Sequence, residues 1–325
     1  MSRSCFRKFW LSTATLALFC LGCSTPSPIA IDTARENAST SLFTSTGAVP
    51  PQGGQRRELI HDGRVRTYYL YTPSTFDFSR PLPLVIALHG GGGTGERFAN
   101  TTAYDAVAEA EEFIVVYPDG VNERWNDGRD NTDTSVDDVS FIAALIQELS
   151  SIRSIEPDQV YVTGISNGGF MTARLACDRP DLFAGYAIVA ASLPDNIEDT
   201  CDVQNPGSIL VIHGTADRFI PYGGGEDPGG NAILSVPQAT QFWAEANGCN
   251  ISGRTRWLPN TDRLDRTVVA ETNYGGCRQN ALQLMTLWGG GHTWPGGLDQ
   301  PRWLVGVTSQ EVNGSQVIWD FFQSR

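Results

Sequence analysis

The chain contains a single lysine, Lys8, among its 325 residues. That residue lies in the N-terminal leader described below, so the remainder of the chain has none. Schiff-base chemistry, Ser-Lys dyads and P-loop phosphate binding are therefore excluded there. Histidine is nearly as scarce, with four residues at positions 61, 89, 213 and 292. Any histidine general base must be one of these four.

The first 23 residues are predicted to be an export signal. Arg3, Arg7 and Lys8 precede an apolar run that is too short and wrongly flanked for a spanning helix. The run ends at Leu21-Gly22-Cys23, which resembles a bacterial lipobox, although Cys20 stands where that motif usually has leucine. We expect Cys23 to be lipidated and to hold the protein at the cell envelope, on the periplasmic or outer surface. Plain secretion is the alternative.

Removal of residues 1–22 leaves 303 residues with 20 basic and 36 acidic side chains, a net charge of −16. This length is enough for one large α/β domain. A surface this acidic argues against nucleic acid and anionic lipid as partners. We therefore expect the protein to contact the membrane only through the lipid attached to Cys23. Residues 24–55, rich in Ser, Thr, Pro, Ala and Gly, are predicted to be a disordered tether. Residues 56–325 are expected to form the folded domain, as a monomer.

Beyond Cys23 the chain has four cysteines: Cys177, Cys201, Cys249 and Cys277. An even number in an exported chain indicates two disulfides. Three connectivities are possible, and we expect Cys177–Cys201 with Cys249–Cys277, which close the shortest loops. No C-x-x-C pair occurs and no histidine lies at ligand spacing, so we expect neither a metal nor a cofactor.

Apolar, β-rich segments alternate with helix-like segments from about residue 57 onward. A hairpin turning at Asp62-Gly63 comes first. The strand segments are 82–90, 113–120, 159–166, 186–192, 208–217 and 282–290. The helix-like segments lie near 97–111, 137–152, 168–178, 236–247 and 308–323. Continuous apolar strands between helices predict an α/β fold with a mostly parallel central sheet and helices on both faces.

One strand segment ends in Gly164-Ile165-Ser166-Asn167-Gly168, a G-x-S-x-G sequence. In a Gly-rich chain this pentapeptide is weak evidence by itself, and an ordinary turn would explain it. Its position between a predicted strand and a predicted helix favours a nucleophilic serine on a strained corner. Ser166 would then lie near the positive end of a helix dipole.

The four histidines differ in the segments that surround them. His61 belongs to the hairpin and is expected to be structural, whereas His213 is expected to pack beneath the site. His89 opens the sequence HGGGGTG, whose glycines let backbone N–H groups approach a substrate oxygen. His292 remains as the expected general base, in WGGGHTWPGG, where glycines would give it room to swing toward the serine.

Asp217, at the end of ILVIHGTAD, is the expected carboxylate partner of His292. The chain order Ser166, Asp217, His292 is that of α/β-hydrolases. The oxyanion hole is predicted to consist of the backbone N–H groups of Asn167 and Gly91.

These motifs make the chain similar to exported polyhydroxybutyrate depolymerases and feruloyl esterases, α/β-hydrolases that overlap carbohydrate esterase family one. The resemblance covers about residues 57–323. It rests on LVIALHGGGGTG, VVYPDG, VDDVSFI, GISNGGFM, HGTADRFIPY, ANGC and GGGHTWPGG, of which the last is the most specific. It places the family's serine, aspartate and histidine on Ser166, Asp217 and His292, and it supports the pairing Cys249–Cys277.

The resemblance implies a serine esterase that cleaves short 3-hydroxybutyrate-type or feruloyl esters. Many extracellular depolymerases carry a linker and a polymer-binding domain after the catalytic region; we expect neither here and therefore no attack on crystalline polymer. The alternatives are an acetyl xylan esterase, a serine peptidase of the same fold and, least favoured, a non-catalytic surface-binding lipoprotein.

Further features have weaker interpretations. Trp294, Trp125 and His89 are candidates for substrate contact. The acidic loop 127–138 is predicted to be solvated rather than a calcium site, with Asp137 and Asp138 capping the following helix. The glycine-rich loop 222–231 is expected to be flexible and to border the cleft.

Overall fold

The computed structural model describes residues 54–324, except Phe78, Asn131 and the side chain of Glu198. Cys23 and residues 24–53 of the predicted tether lie outside this part of the chain, so lipidation and the tether stay predictions. Across residues 54–324, no helix is long and apolar enough to cross a membrane.

Twelve strands occur within the described residues. They are β1 (Gln55–His61), β2 (Arg64–Tyr71), β3 (Leu82–Leu88), β4 (Ile114–Pro118), β5 (Ile155–Ile165), β6 (Gly185–Val189), β7 (Ser208–Gly214), β8 (Gly225–Glu226), β9 (Ala232–Ile233), β10 (Arg254–Trp257), β11 (Val268–Tyr274) and β12 (Leu282–Trp288). The central sheet has the order β1-β2-β4-β3-β5-β6-β7-β12-β11-β10. Its middle, from β4 to β12, is parallel, and an antiparallel pair extends each edge. Strands β8 and β9 form a separate ribbon.

The helices cover both faces of this sheet. They are α1 (Gly95–Thr102), α2 (Tyr104–Glu111), α3 (Asp138–Ile152), α4 (Asn167–Asp178), α5 (Ile197–Thr200), α6 (Val236–Ala246), α7 (Arg302–Val305) and α8 (Gly314–Gln323). Helices α1, α2 and α8 pack on one face, and α3, α4 and α6 pack on the other. The predicted α/β fold with a mostly parallel sheet is therefore confirmed.

Strand β3 shows why the central strands read as continuous apolar runs. Leu84, Ile86 and Leu88 pack in the hydrophobic cluster beneath one layer of helices. Val85 and Ala87 point the other way, into the second cluster. Because both faces of the strand are buried, every position must be apolar.

Some helix boundaries differ from prediction. The segment predicted as one helix at 97–111 is two helices, separated at Ala103, whose φ of 50° is left-handed. The last helix begins at Gly314 rather than near 308, because Asn313 caps it by accepting a hydrogen bond from the Gln316 N–H. Strands β10 and β11 were not predicted; β10 is exposed along its whole length and so lacks an apolar pattern.

Within residues 54–324 the structure contains two disulfides, Cys177–Cys201 and Cys249–Cys277. They are the pairing that closes the shortest loops, as predicted. Disulfides of this kind fit a protein exported to an oxidising compartment.

A buried ion pair fixes the start of α3. Asp137 caps the helix as predicted, by accepting a hydrogen bond from the Ser140 N–H. Asp138 does not cap it, which corrects the prediction: its carboxylate is fully buried, 2.7 Å from the guanidinium of Arg66. Asp138 also accepts the backbone N–H of Asn126 at 2.7 Å, so it positions the segment that leads toward the site.

Two neighbouring aspartates allow a matched test of this ion pair. Asp138→Asn leaves the buried charge of Arg66 without its partner, and we expect the free energy of unfolding to fall by about 3–5 kcal/mol. Asp137→Asn makes the same chemical change but keeps a good N-cap, so we expect a change below about 0.5 kcal/mol. Urea unfolding of the purified variants measures both. Equal losses in the two variants would contradict the assignment.

Candidate active site

Ser166 lies at a strained corner between β5 and α4. Its φ of 57° and ψ of −123° fall in a region that non-glycine residues rarely adopt, at a cost of about 1–3 kcal/mol. The surrounding backbone holds it there: its N–H donates to the Val189 carbonyl at 3.0 Å, and its carbonyl accepts from the Phe170 N–H at 2.9 Å. The predicted corner is therefore present in the structure.

The glycines around Ser166 are required by close packing. A Cβ atom at Gly168 would lie 2.3 Å from the Leu88 carbonyl oxygen and 2.5 Å from that of His89. A Cβ atom at Gly164 would lie 2.3 Å from the Gly168 carbonyl oxygen. No backbone could accept such overlaps without moving, so the G-x-S-x-G pattern reflects contact between this corner and the end of β3.

His292 and Asp217 form the second part of the site. The Nδ1 atom of His292 lies 2.7 Å from Oδ2 of Asp217, whose carboxylate is fully buried. The other carboxylate oxygen accepts the backbone N–H groups of Phe219 and Ile220 at 2.8 and 2.9 Å. A carboxylate on Nδ1 assigns the proton of the neutral ring to that nitrogen and leaves Nε2 as the base.

The glycines before His292 have a different role from the one predicted. A Cβ atom at Gly291 would lie 2.2 Å from the Val305 carbonyl oxygen, and one at Gly214 would lie 2.3 Å from that of Gly290. The His292 N–H also donates to the Val305 carbonyl at 2.6 Å. These glycines allow tight packing that fixes the loop, so the expected room to swing is not there.

The other histidines have structural partners. Nε2 of His61 lies 2.8 Å from Oγ of Ser140. His213 is buried in β7 with Nδ1 3.0 Å from the Gly214 carbonyl oxygen, and burial lowers its pKa below the ordinary value. Both side chains are therefore structural, as predicted.

His89 holds the loop that follows β3. Its Nδ1 lies 2.8 Å from the Gly90 carbonyl oxygen, and its Nε2 accepts the Gly120 N–H at 2.9 Å. Burial lowers the pKa of His89, in keeping with a neutral ring. The backbone uses both ring nitrogens, while His89 also lines the cleft, so its contact with substrate stays a prediction.

Ser166 and His292 line the same cleft, which has a volume of about 530 Å³. Gly91 borders it beside Asn167, since a Cβ atom on Gly91 would lie 3.7 Å from that of Asn167. Over the part of the chain that the structure describes, neither the Gly91 nor the Asn167 backbone N–H has a hydrogen-bond acceptor. Two free donors next to Ser166 are what an oxyanion requires.

The side chain of Asn167 is immobilised below the cleft. Its Oδ1 accepts the Trp125 N–H at 2.8 Å, and its Nδ2 donates to the Trp125 carbonyl at 3.0 Å and to Asp127 at 2.6 Å. These bonds fix the first residue of α4 and therefore the direction of its backbone N–H.

The two tryptophans predicted to contact substrate have different environments. Trp125 is 1% exposed, and its indole N–H donates to the His89 carbonyl at 2.9 Å. It does not line the cleft, so substrate contact by Trp125 is a wrong prediction; it supports the His89 loop from beneath. Trp294 lines the cleft but is also only 1% exposed. Its indole N–H donates a hydrogen bond to Oγ of Ser315 at 3.1 Å. Its contact with substrate stays a prediction.

A buried charge network that was not predicted joins two loops at the cleft. Arg129 forms ion pairs with Asp127, at 2.5 Å, and with Asp227 of the loop 222–231. Burial opposes ionisation of Asp227, but hydrogen bonds from Asn231 and the charge of Arg129 outweigh it and lower its pKa. The predicted solvated loop 127–138 is thus buried at its start, and loop 222–231 borders the cleft as expected. Charged residues that pair across a long stretch of sequence produce no periodic pattern. No sign of this network is therefore visible in the sequence.

The same part of the chain, residues 54–324 with the gaps given above, contains no group of three or more His, Cys, Asp or Glu side chains able to hold a metal ion. The chemistry that this site supports is nucleophilic attack by a serine with a histidine base and an oxyanion hole.

Comparison with known proteins gives sequence and structural relatives. A family model described as Esterase PHB depolymerase matches residues 66–198. The putative esterase NocK of Nocardia uniformis subsp. tsuyamanensis is 31% identical over 316 residues, covering 91% of each chain. Feruloyl esterase C of Emericella nidulans is 31% identical over 219 residues, covering 64% of this chain and 77% of its own. The solved acetyl xylan esterase from Aspergillus awamori shares the fold, with a TM-score of 0.56 and 18% identity, over 84% of this chain and 100% of that one.

Proposed function

Since the chain belongs to the PHB depolymerase family of esterases and is a serine hydrolase of carboxylic esters, we propose that Ser166, His292 and Asp217 carry out the hydrolysis. One observation supports this most strongly: the strained Ser166 shares a cleft with His292, whose Nδ1 is bound by a buried carboxylate. Backbone strain at a half-buried serine that lines a cleft is retained where function requires it.

In the first half of the reaction, Oγ of Ser166 attacks the ester carbonyl carbon while Nε2 of His292 takes the hydroxyl proton. The carbonyl oxygen becomes an oxyanion, which accepts the backbone N–H groups of Gly91 and Asn167. Asp217 holds the ring in place and stabilises its charged form. When the tetrahedral intermediate collapses, the ester C–O bond breaks, His292 protonates the leaving alcohol, and the acyl group remains on Ser166.

In the second half, water replaces the alcohol. Nε2 of His292 takes a proton from the water molecule as its oxygen attacks the acyl carbon. The second tetrahedral intermediate releases the carboxylic acid, and the proton returns to Oγ of Ser166. The enzyme ends in its starting state.

The proposed substrates are short hydroxyalkanoate esters of the 3-hydroxybutyrate type or hydroxycinnamoyl esters such as feruloyl esters. The names of the matching family and of the feruloyl esterase relative support these two groups. The cleft volume of about 530 Å³ suits a small acyl group with a small alcohol. Acetylated xylan, the substrate class of the structural neighbour, is the alternative to test beside them.

Ser166→Ala tests the nucleophile. We expect the turnover number to fall by about 10⁶-fold, the size of loss seen when a triad serine is removed. A fluorophosphonate probe should label the wild-type protein and not the variant. Ser150→Ala, on the exposed side of α3, serves as the control and should behave as wild type.

The assay panel contains methyl ferulate, 3-hydroxybutyrate oligomers, acetylated xylan and p-nitrophenyl acetate and butyrate. The preferred member identifies the acyl group. If the folded wild-type protein cleaves none of them and ignores the probe, the esterase mechanism fails and the binding-protein alternative replaces it.

Gly91 allows a sharper test of the oxyanion hole. The nearest atoms to a Cβ at this position lie 3.7 Å away, so Gly91→Ala should fit and keep its N–H, with activity within a few-fold of wild type. Gly91→Pro removes the N–H, and we expect turnover to fall by about 10²–10³-fold. Steady-state kinetics measures both, with thermal unfolding to verify that each variant is folded. Equal activity of the two variants would mean that Gly91 is not a donor.

We further propose that the enzyme works as a monomer held at the cell envelope by a lipid on Cys23. The two disulfides and the leader motif support export. The absence of lysine after the leader and the acidic surface suit an attachment that does not depend on anionic lipid.

Cys23→Ser tests the anchor, and Cys20→Ser is a matched control in the same leader. In detergent phase partition, we expect wild type and Cys20→Ser in the detergent phase and Cys23→Ser in the aqueous phase. Recovery of the wild-type protein in the aqueous phase would support plain secretion instead.

A further inference from the structure

The charge of the cleft is opposite to that of the protein. The chain carries 36 acidic and 23 basic side chains. Among the described residues, the side chains that line the cleft nevertheless include three arginines, Arg97, Arg124 and Arg129, and one carboxylate, Asp227. A local excess of positive charge in an acidic protein requires a reason.

Two of the three arginines have carboxylate partners. Arg129 is buried between Asp127 and Asp227, so its charge is neutralised by the protein itself. Arg97 lies 3.9 Å from Glu123, in an exposed pair. Arg124 differs from both: it is exposed, and its guanidinium has neither an ion pair nor a hydrogen-bond acceptor among the residues that the structure describes.

Backbone geometry directs Arg124 toward the oxyanion loop. The residue closes a tight turn after β4, in which Asn122 and Glu123 adopt left-handed φ values of 52° and 59°. The Arg124 N–H donates to the Val121 carbonyl at 3.1 Å. The Glu123 carbonyl in turn accepts the Gly92 N–H at 2.9 Å, which joins the turn to the loop that carries Gly91.

The side chain of Arg124 therefore lies beside the site of reaction. Its Nη1 is 3.8 Å from the position that a Cβ atom on Gly91 would occupy. Gly91 is a proposed oxyanion donor, so a group bound to the guanidinium would sit a few bonds from the carbonyl under attack. Asp227 is paired with Arg129, and among the described residues no ion pair joins Arg124 to Asp227 or to the adjacent Glu123.

We propose that Arg124 binds a free carboxylate of the substrate, within a few bonds of the ester that is cleaved. The proposal rests on the function proposed above and narrows its substrate class to anionic esters. A guanidinium matches a carboxylate with two parallel N–H···O bonds, which fixes orientation as well as charge. The last ester bond of a hydroxyalkanoate oligomer is of this kind, because its alcohol carries the terminal carboxylate. A neutral alkyl ester of a hydroxycinnamic acid is not.

The overall charge opposes the approach of an anionic substrate, and a local cation offsets this repulsion. A net charge of −16 after the leader repels anions at long range. A cation at the cleft restores attraction where the substrate must bind, and salt weakens it because Arg124 is exposed.

The test compares two substrates that differ only in charge. One is the linear dimer of 3-hydroxybutyrate, with a free carboxylate; the other is the same dimer with a primary amide in its place. We expect the wild-type kcat/KM to favour the acid by about 10–100-fold, the range for hydrogen bonds to a charged group. Arg124→Gln should remove this preference mainly by raising KM for the acid. Arg80→Gln, an exposed arginine that pairs with Glu112 away from the cleft, makes the same change in net charge and should keep the preference.

Each result has a defined meaning. Loss of the preference in Arg124→Gln but not in Arg80→Gln, and its decline in wild type as salt rises, supports the subsite. Equal cleavage of acid and amide by the wild type overturns the proposal, and so does a preference that survives Arg124→Gln. Hydrolysis of p-nitrophenyl acetate tests the esterase mechanism separately from the Arg124 subsite. If this hydrolysis depends on Ser166 while the acid and the amide are cleaved equally, the subsite proposal fails and the esterase mechanism stands.

Discussion

The close contact between the β5–α4 corner and the end of β3 determines the geometry of the site. Gly168 leaves no space for a side chain against the carbonyl oxygens of Leu88 and His89. The corner therefore holds Ser166 with a left-handed φ and brings the start of α4 beside the loop after β3. Both proposed oxyanion donors follow from this one contact, because Gly91 belongs to that loop and Asn167 to that helix start. The strain at Ser166 is compensated by the packing of the whole parallel sheet.

Buried polar groups extend this contact into a continuous frame. Asp138 is joined to Arg66 and to the Asn126 N–H, which fixes the segment that follows β4. The next residue in that segment, Asp127, binds the side chain of Asn167, and Asn167 also holds the backbone of Trp125. Arg129 then ties Asp127 to Asp227 on the far loop. Removing Arg66, Asp138 or Arg129 would leave a buried charge without its ion-pair partner, so the network specifies one arrangement of the cleft walls.

Much of this was predictable from sequence, because a few patterns have direct physical causes. Continuous apolar strands identified the parallel sheet, and family membership inferred from the motifs is confirmed by the relatives. The structure also brings Ser166, Asp217 and His292 together as the motifs suggested, while their catalytic roles stay proposals. Strand β10 was not predicted, because it is exposed along its whole length and an edge strand of this kind needs no regular pattern of apolar residues.

Buried polar residues were the main source of error. Asp138 was assigned to a helix cap and Trp125 to the cleft, yet both are buried by partners distant in sequence. A charged or aromatic side chain gives the same letter pattern whether it faces water, a ligand or a partner. A role for Arg124 was not predicted for the same reason. The role depends on the lack of an ion-pair partner among the described residues, which only the folded structure reveals.

The histidines show how one fold assigns different chemistry to the same side chain. His89 and His213 lie at the ends of two sheet strands, and each has Nδ1 on the carbonyl oxygen of the glycine that follows it. Burial lowers the pKa of both, which suits neutral rings that fix the backbone. His292 instead has a buried carboxylate on Nδ1, so the positive charge it would gain as a base has a partner. The environment, rather than the residue type, therefore distinguishes the proposed general base from its structural counterparts.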